Sequence, residues 1–528
     1  MATSPQRAYR AACPNCGAPV EFASAASASA VCSFCRSTLV RDGEALRRIG
    51  VSAELFDDHS PLQLGASGTR QGLAFTLVGR LQYRYDGGTW NEWHALFDNG
   101  RSAWLSEDNG AYVFAFDAPL PADAPDMDSL RAGQRTLADG RAWDVASKVQ
   151  ATLLAAQGEL PRPPQLEGAF TVVDLRNSVG EVATLDGIDP TQTGWSVGRA
   201  VALSELSLQG LKDASEKTLG ARGVECPNCG NALEVKLTST QSITCGQCAS
   251  VVDVSAGVGA DLQSYQQNNA GEAGAEPLIP LGRTGTLALG EPGTAPQPWQ
   301  VVGYVERCDI PESDEDETSF WREYLLFNTT QGFAFLVDTN EGWSWVKPLT
   351  GVPVVKGDQA RWQDRSYRKR WAYTAKVTWV QGEFYWRLKR EERALVIDYE
   401  GTGDHVQGRL SREQTGNEVT WSAGETLSAE TVADAFGIAP TQRAVLQRDA
   451  APLSGGGGVV KALIILAVVL ILVLMLSRCG GDDCDQIRDT FGAASNEYRQ
   501  CQRNNSGSGV RTGGGSFGGW RSGGGGHK

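Results

Sequence analysis

A chain of 528 residues is too long for one ordinary core, so several domains are expected, each large enough to bury apolar surface. With 41% hydrophobic residues, 8% aromatics and 15 tryptophans, it belongs with folded proteins and not with disordered chains. The formal charge of −14 repels phosphate backbones, so no nucleic-acid partner is expected.

Met1 to Arg10 holds no apolar run that could act as a secretory signal, which places the first domains in the cytoplasm, where thiols stay reduced. Residues 1–50 carry Cys13-Pro14-Asn15-Cys16-Gly17 and, separated from Cys16 by fifteen residues, the pair Cys32 and Cys35. The same pattern returns in residues 220–256 as Cys226-Pro227-Asn228-Cys229-Gly230 followed, again after fifteen residues, by Cys245 and Cys248. Such C-x-x-C pairs in a reducing compartment read as metal ligation rather than disulfide bonding. Tetrahedral zinc needs four soft ligands at one point, and two knuckles supply them, with Gly easing each tight turn. Val20-Glu21-Phe22 and Ala30-Val31 are short strand-like pieces between the knuckles, as in a zinc ribbon. Two structural zinc ions per chain are expected, each stapling a segment too small for its own core. Redox cycling of the pairs, or iron in rubredoxin-type knuckles, are the other readings.

Residues 51–212 switch to short runs rich in aromatic and β-branched residues, with turns between them. Leu73 to Gly79, Leu81 to Tyr85 and Ala111 to Phe116 read as strands; Asp86-Gly87-Gly88 and Asp108-Asn109-Gly110 read as turns. Further strands are expected around Trp143 to Leu154 and Phe170 to Leu175, and a helix over Leu203 to Leu219. Residues 257–275, polar and rich in Gly, Ala, Gln and Asn, read as a linker.

Residues 276–445 then repeat the first module. Leu64-Gly65-x-x-Gly68-Thr69 returns as Leu281-Gly282-x-x-Gly285-Thr286, Val78-Gly79 as Val302-Gly303, and Trp90-x-Glu92-Trp93 as Trp321-x-Glu323-Tyr324. Trp104-Leu105 falls on Phe335-Leu336, Gln157-Gly158-Glu159 on Gln381-Gly382-Glu383, Asp174 on Asp398, and Trp195-Ser196-x-Gly198 on Trp421-Ser422-x-Gly424. The offset stays between 217 and 231 with order preserved, so two copies of one fold are expected. A zinc ribbon followed by these landmarks resembles the bacterial family catalogued as domain of unknown function 4178, here in two copies. The resemblance implies no established activity. Its relatives lie beside genes for polyamine-synthase-like and small membrane proteins, which implies an envelope or stress setting.

Leu427 to Ile438 reads as a short helix, with Ser428 as N-cap. A Gly/Ser linker (446–458) leads to Ala462 to Leu476, fifteen uninterrupted apolar residues, extended by Val459 and Val460 around Lys461. Residues 459–477 therefore read as a transmembrane helix, and 478–528 as a Gly-rich tail. The expected localisation is the cell membrane, single-pass, with the N-terminal domains cytoplasmic and the C-terminal tail outside. In the tail, Cys479, Cys484 and Cys501 lack C-x-x-C spacing and could pair in an oxidising space.

No G-x-S-x-G, phosphate-binding Gly loop or H-E-x-x-H is present, and the four histidines are His59, His94, His405 and His527. The repeated acids, Glu92/Glu323, Glu159/Glu383 and Asp174/Asp398, could form an acid pair, or else cap turns and pack beside Trp. The acidic run Asp309 to Glu317 lacks a counterpart in the first copy and reads as a solvated loop. The expectation is a mainly β protein: two zinc ribbons, two duplicated β-rich modules and one transmembrane helix. Its work would be that of a membrane-anchored, cytoplasm-facing scaffold or sensor, acting through protein partners that the sequence does not name. The rival is an enzyme or small-ligand sensor using the repeated acids and aromatics, and catalytic and cofactor-binding residues are expected to be absent.

Overall fold

Aromatic and β-branched residues dominate the first repeat between Leu73 and Ala200, and they pair into nine strands, eight of them forming a ring, in the computed structural model, which describes residues 9–446. Within that range 52–59, 213–223, 255–262, 266–276 and 312–317 are the longest stretches left undescribed. The ring strands are β1 (Leu73–Tyr85), β2 (Gly88–Phe97), β3 (Ser102–Asp108), β4 (Ala111–Asp117), β5 (Arg141–Leu160), β6 (Phe170–Arg176), β7 (Glu181–Asp186) and β8 (Gly194–Ala200). β1 to β4 form one antiparallel meander and β5 to β8 another. β4 pairs with β8 and β5 with β1, so the ring closes into an eight-stranded barrel with no free edge.

The second repeat closes the same way. Its strands are β9 (Gln297–Ile310), β10 (Phe320–Asn328), β11 (Gly332–Thr339), β12 (Gly342–Leu349), β13 (Arg365–Phe384), β14 (Arg393–Gly401), β15 (Gly408–Thr415) and β16 (Glu418–Leu427). β12 pairs with β16 and β13 with β9, matching the two closures of the first barrel. The landmarks take equivalent places: Trp90 opposes Tyr83 as Trp321 opposes Arg307, and Trp195 opposes Leu185 as Trp421 opposes Arg412.

Each barrel has three apolar layers. In the first, Tyr83, Trp90, Trp104, Phe170 and Val172 fill the space between the meanders. Leu62 and Leu206 cover the outer face of β1 to β4, and Leu130 and Ala138, on the β4–β5 connection, cover that of β5 to β8. In the second, Val305, Trp321, Phe335, Val377 and Val396 lie between the meanders, and the helix α1 (Ala429–Ala435) supplies Val432 and Ala433 to one outer face.

The V-G and Q-G-E landmarks meet where β1 and β5 cross. Gly79 pairs with Gly158 and Gly303 with Gly382, beside a bulge in each ladder. A Cβ on Gly158 would collide with the Val78 carbonyl oxygen, and one on Gly382 with that of Val302. Just past this crossing each ribbon joins its barrel. Ser29–Val31 pairs with Gly158–Leu160, and Ser242 and Ile243 pair with Phe384 and Glu383, so each ribbon extends the longest barrel strand.

Three expectations change. Leu203 to Leu219 is not one helix: a single 3-10 turn, Leu203–Leu206, ends at Ser207 with φ +47°. Beyond it Gln209 exchanges both backbone hydrogen bonds with Ser67, and Leu206 and Leu208 pack on the barrel, so tertiary pairing overrides helical periodicity. The stretch expected as a linker carries a strand, Gln263–Tyr265, paired with Val251–Asp253 of the second ribbon. The transmembrane helix and the single-pass membrane localisation are withdrawn, because no helix among the described residues is long and apolar enough to cross a membrane. Residues 459–477, the tail with its cysteines, and most of the acidic run lie outside the described residues.

Candidate metal centres

In each ribbon the two knuckles face one another across a two-stranded turn. The Gly17 N–H donates to the Cys13 carbonyl and the Arg36 N–H to that of Cys32, folding each C-x-x-C back on itself. Gly230 on Cys226 and Ala249 on Cys245 repeat this in the second ribbon. All four closing residues have positive φ, from +55° to +74°, which Gly adopts freely and Arg36 and Ala249 only under strain.

The result is two four-thiol clusters, Cys13, Cys16, Cys32, Cys35 and Cys226, Cys229, Cys245, Cys248, with the ligand atoms of each within 4.8 Å of one another. Sγ of Cys13 lies 3.6 Å from that of Cys35, and the pairs Cys16 with Cys32, Cys226 with Cys248 and Cys229 with Cys245 are at 3.7 Å. Four sulfurs held tetrahedrally at about 2.3 Å from a zinc ion stand about 3.8 Å apart, so the spacing and the donor set fit a metal such as zinc. Ser37 Oγ lies 3.2 Å from Cys35 Sγ, and its hydrogen bond leads in pulling that thiol down to about 5. Cys248 is likewise pulled down to about 5, by Asn228 first and then by Ser250, whose Oγ is 3.3 Å away. At Cys35 and Cys248 these partners favour the thiolate, the form that binds metal.

The repeated acids do not gather. Glu92 and Glu323 lie inside the barrels, each taking the indole N–H of the Trp two residues earlier, at 3.2 Å from Trp90 and 2.8 Å from Trp321. Asp174 accepts from Ser147 at 3.3 Å and Thr184 at 3.1 Å, and Asp398 from Tyr373 at 2.7 Å. Glu383 accepts from Thr240 of the second ribbon at 2.7 Å. Glu159 lies twelve residues beyond Ser147 on β5, on the order of 35–40 Å in an extended strand, far from Asp174. His94, buried, bonds the Glu159 carbonyl and Ser102, both at 2.9 Å, and desolvation lowers its pKa. His405 contacts Tyr367 at 3.3 Å, while His59 and His527 lie outside the described residues.

Sequence reasoning missed one buried ionic group. Arg307 pairs with Glu413 at 2.9 and 3.1 Å and with Glu323 at 3.4 Å, all three almost fully buried. Tyr83 takes the place of Arg307 in the first barrel, so comparing the copies hides the cation rather than exposing it.

A family model described as Domain of unknown function (DUF4178) matches residues 63–203 and 295–429, together just over half of the chain. The two matched segments coincide with the two barrels. Searches of curated proteins and of solved structures return no match.

Proposed function

The chain belongs to the family described as Domain of unknown function (DUF4178), whose domain it carries twice, and we propose that it is a scaffold or sensor acting through protein interaction. The observation that carries this reading is the use made of the repeated acids: Glu92, Glu323, Asp174 and Asp398 are bound to neighbours inside the barrels, and Glu383 is bound to a ribbon. The rival reading, an enzyme or ligand sensor built on these acids, needs them to converge. Here the barrels act as rigid supports and the ribbons as the elements presented to a partner. Phe34, at the tip of a ribbon 1 knuckle, is 73% exposed. The metal is zinc in a structural role, since four thiolates with no water-bearing ligand make a closed site. A bacterial source and an envelope or stress setting belong to the same reading.

The test is quantitative affinity capture with the full chain, its Phe34→Asp variant and its Cys13→Ser variant. A partner retained by the wild type and lost with both variants supports the reading. A partner set unchanged by either variant, or the absence of any specific partner, overturns it.

A further inference from the structure

The two barrels meet side by side. β5 and β16 share one register pair, Ser147 with Glu418, and the Lys148 N–H donates to the Asn417 carbonyl at 3.1 Å. Beside this seam lies a cavity of about 210 Å³, lined from the first barrel by Arg135, Asp144 and Arg176 and from the second by Tyr399, Arg412 and Trp421, with aliphatic side chains between.

Its lining sets three guanidinium groups against one carboxylate. Arg135 is paired with Asp144 at 3.3 Å. Arg176 is 6% exposed; one guanidinium nitrogen donates to the Leu349 carbonyl at 3.2 Å, and Asp174, Glu418 and Asp108 lie near enough to balance its charge. Arg412, half-buried, donates to the Gln414 side chain at 3.0 Å, and the carboxylate that acts on it, Asp144, is the one already paired with Arg135. Asp144 is thus shared by two guanidinium groups, and the Arg412 fork keeps donors whose geometry matches a carboxylate.

The duplication sharpens the point. Asp174 matches Asp398, so Tyr399 holds the place of Leu175, and Arg412 that of Leu185. In the first barrel both leucines are fully buried under its own β4–β5 connection. The second barrel has kept the wall and replaced two apolar side chains by a phenol and a cation, at the face that meets its neighbour. The phenol packs on Trp421 in a buried cluster, whereas packing does not call for the cation.

We propose that this cavity binds a small organic carboxylate with an aromatic or branched apolar body, its carboxylate on Arg412 and its body between Trp421, Tyr399 and the aliphatic wall. Size supports the class: a cavity of about 150 Å³ holds benzene, so one of about 210 Å³ takes a ring bearing a carboxylate. The site is independent of the scaffold reading, since the ribbons contribute nothing to its lining.

Sodium benzoate, titrated calorimetrically into the full-length metal-loaded protein, is the probe, with benzamide and inorganic phosphate as comparison ligands. Expected are saturable binding of one benzoate per chain, none by benzamide, and a much weaker response to phosphate. Arg412→Gln should weaken benzoate roughly tenfold or more. Val355→Phe, which fills the cavity and leaves its charges in place, should abolish binding. Circular dichroism and metal content confirm that each variant folds. Absence of saturable benzoate binding overturns the proposal, as does equal binding of benzamide, phosphate as tight as benzoate, or unchanged affinity in both folded variants.

Discussion

Gly158 and Gly382 carry φ of +72° and +89° at the crossing of the two longest strands of each barrel, with a carbonyl oxygen where a Cβ would stand. Gly158→Ala therefore meets both steric collision and left-handed strain and should destabilise the first barrel by about 2–4 kcal/mol. Gly65 has φ +85° but nothing within 4 Å of its Cβ position, so Gly65→Ala should cost only the backbone strain, about 1 kcal/mol. Chemical unfolding of the two variants side by side checks the ordering. Inside the second barrel, desolvation, with the Glu413 carboxylate nearby, pushes Glu323 up to about 7 in spite of Arg307. A carboxyl whose folded pKa is raised binds its proton more tightly in the native state, so its contribution is complete below the unfolded value and is lost as pH rises through about 7. Glu323→Gln retains an acceptor for the Trp321 indole but does not titrate. The loss of stability of the wild type between pH 5 and pH 7 should accordingly be smaller in this variant, by on the order of 1–3 kcal/mol. Melting temperatures measured across that range would contradict it by showing parallel curves.

Among the elements, the ribbons and the short helix were the most legible, because their signals are local. Thiol spacing sets the knuckles, and Ser428 accepts the Thr431 N–H at 3.0 Å as its position before the helix predicts. Ser428→Ala should lower stability by about 1 kcal/mol, seen as a shift of the transition of the second barrel, whose outer face α1 covers. The stretch after Leu203 misled because leucines recurring at helical spacing also suit an extended segment whose side chains drop onto a sheet. Sequence cannot tell which until the partner strand, here through Ser67, is known. The same limit hid the strand Gln263–Tyr265, since nothing in a polar segment announces pairing with Val251–Asp253 of the second ribbon.

For the whole molecule, the duplication was readable from ordered landmarks, whereas barrel closure was not. β4 with β8 and β5 with β1 are pairings between distant strands that no local pattern encodes, and the cavity between the barrels depends on how two closed rings meet. The offset alignment did contain one clue to it, Leu185 against Arg412, which becomes meaningful only once that face has a neighbour. Each ring closes on itself around its own interior cluster, while one register pair, a few hydrogen bonds and the Arg387–Asp86 ion pair join the two. Independent melting units are the expected consequence. Each barrel is also zipped to its own ribbon, the first through Gly158–Leu160 and the second through Glu383 and Phe384, so each should answer to its own metal. Cys13→Ser removes one of four ligands at the first centre and leaves the second untouched. Elemental analysis should then fall from two metal ions per chain to one. Calorimetry should show two transitions in the wild type, of which the variant lowers one by several degrees and leaves the other in place. A single transition that moves as a whole would mean that the seam between the barrels, including the walls of the cavity, is far stronger than its few bonds indicate.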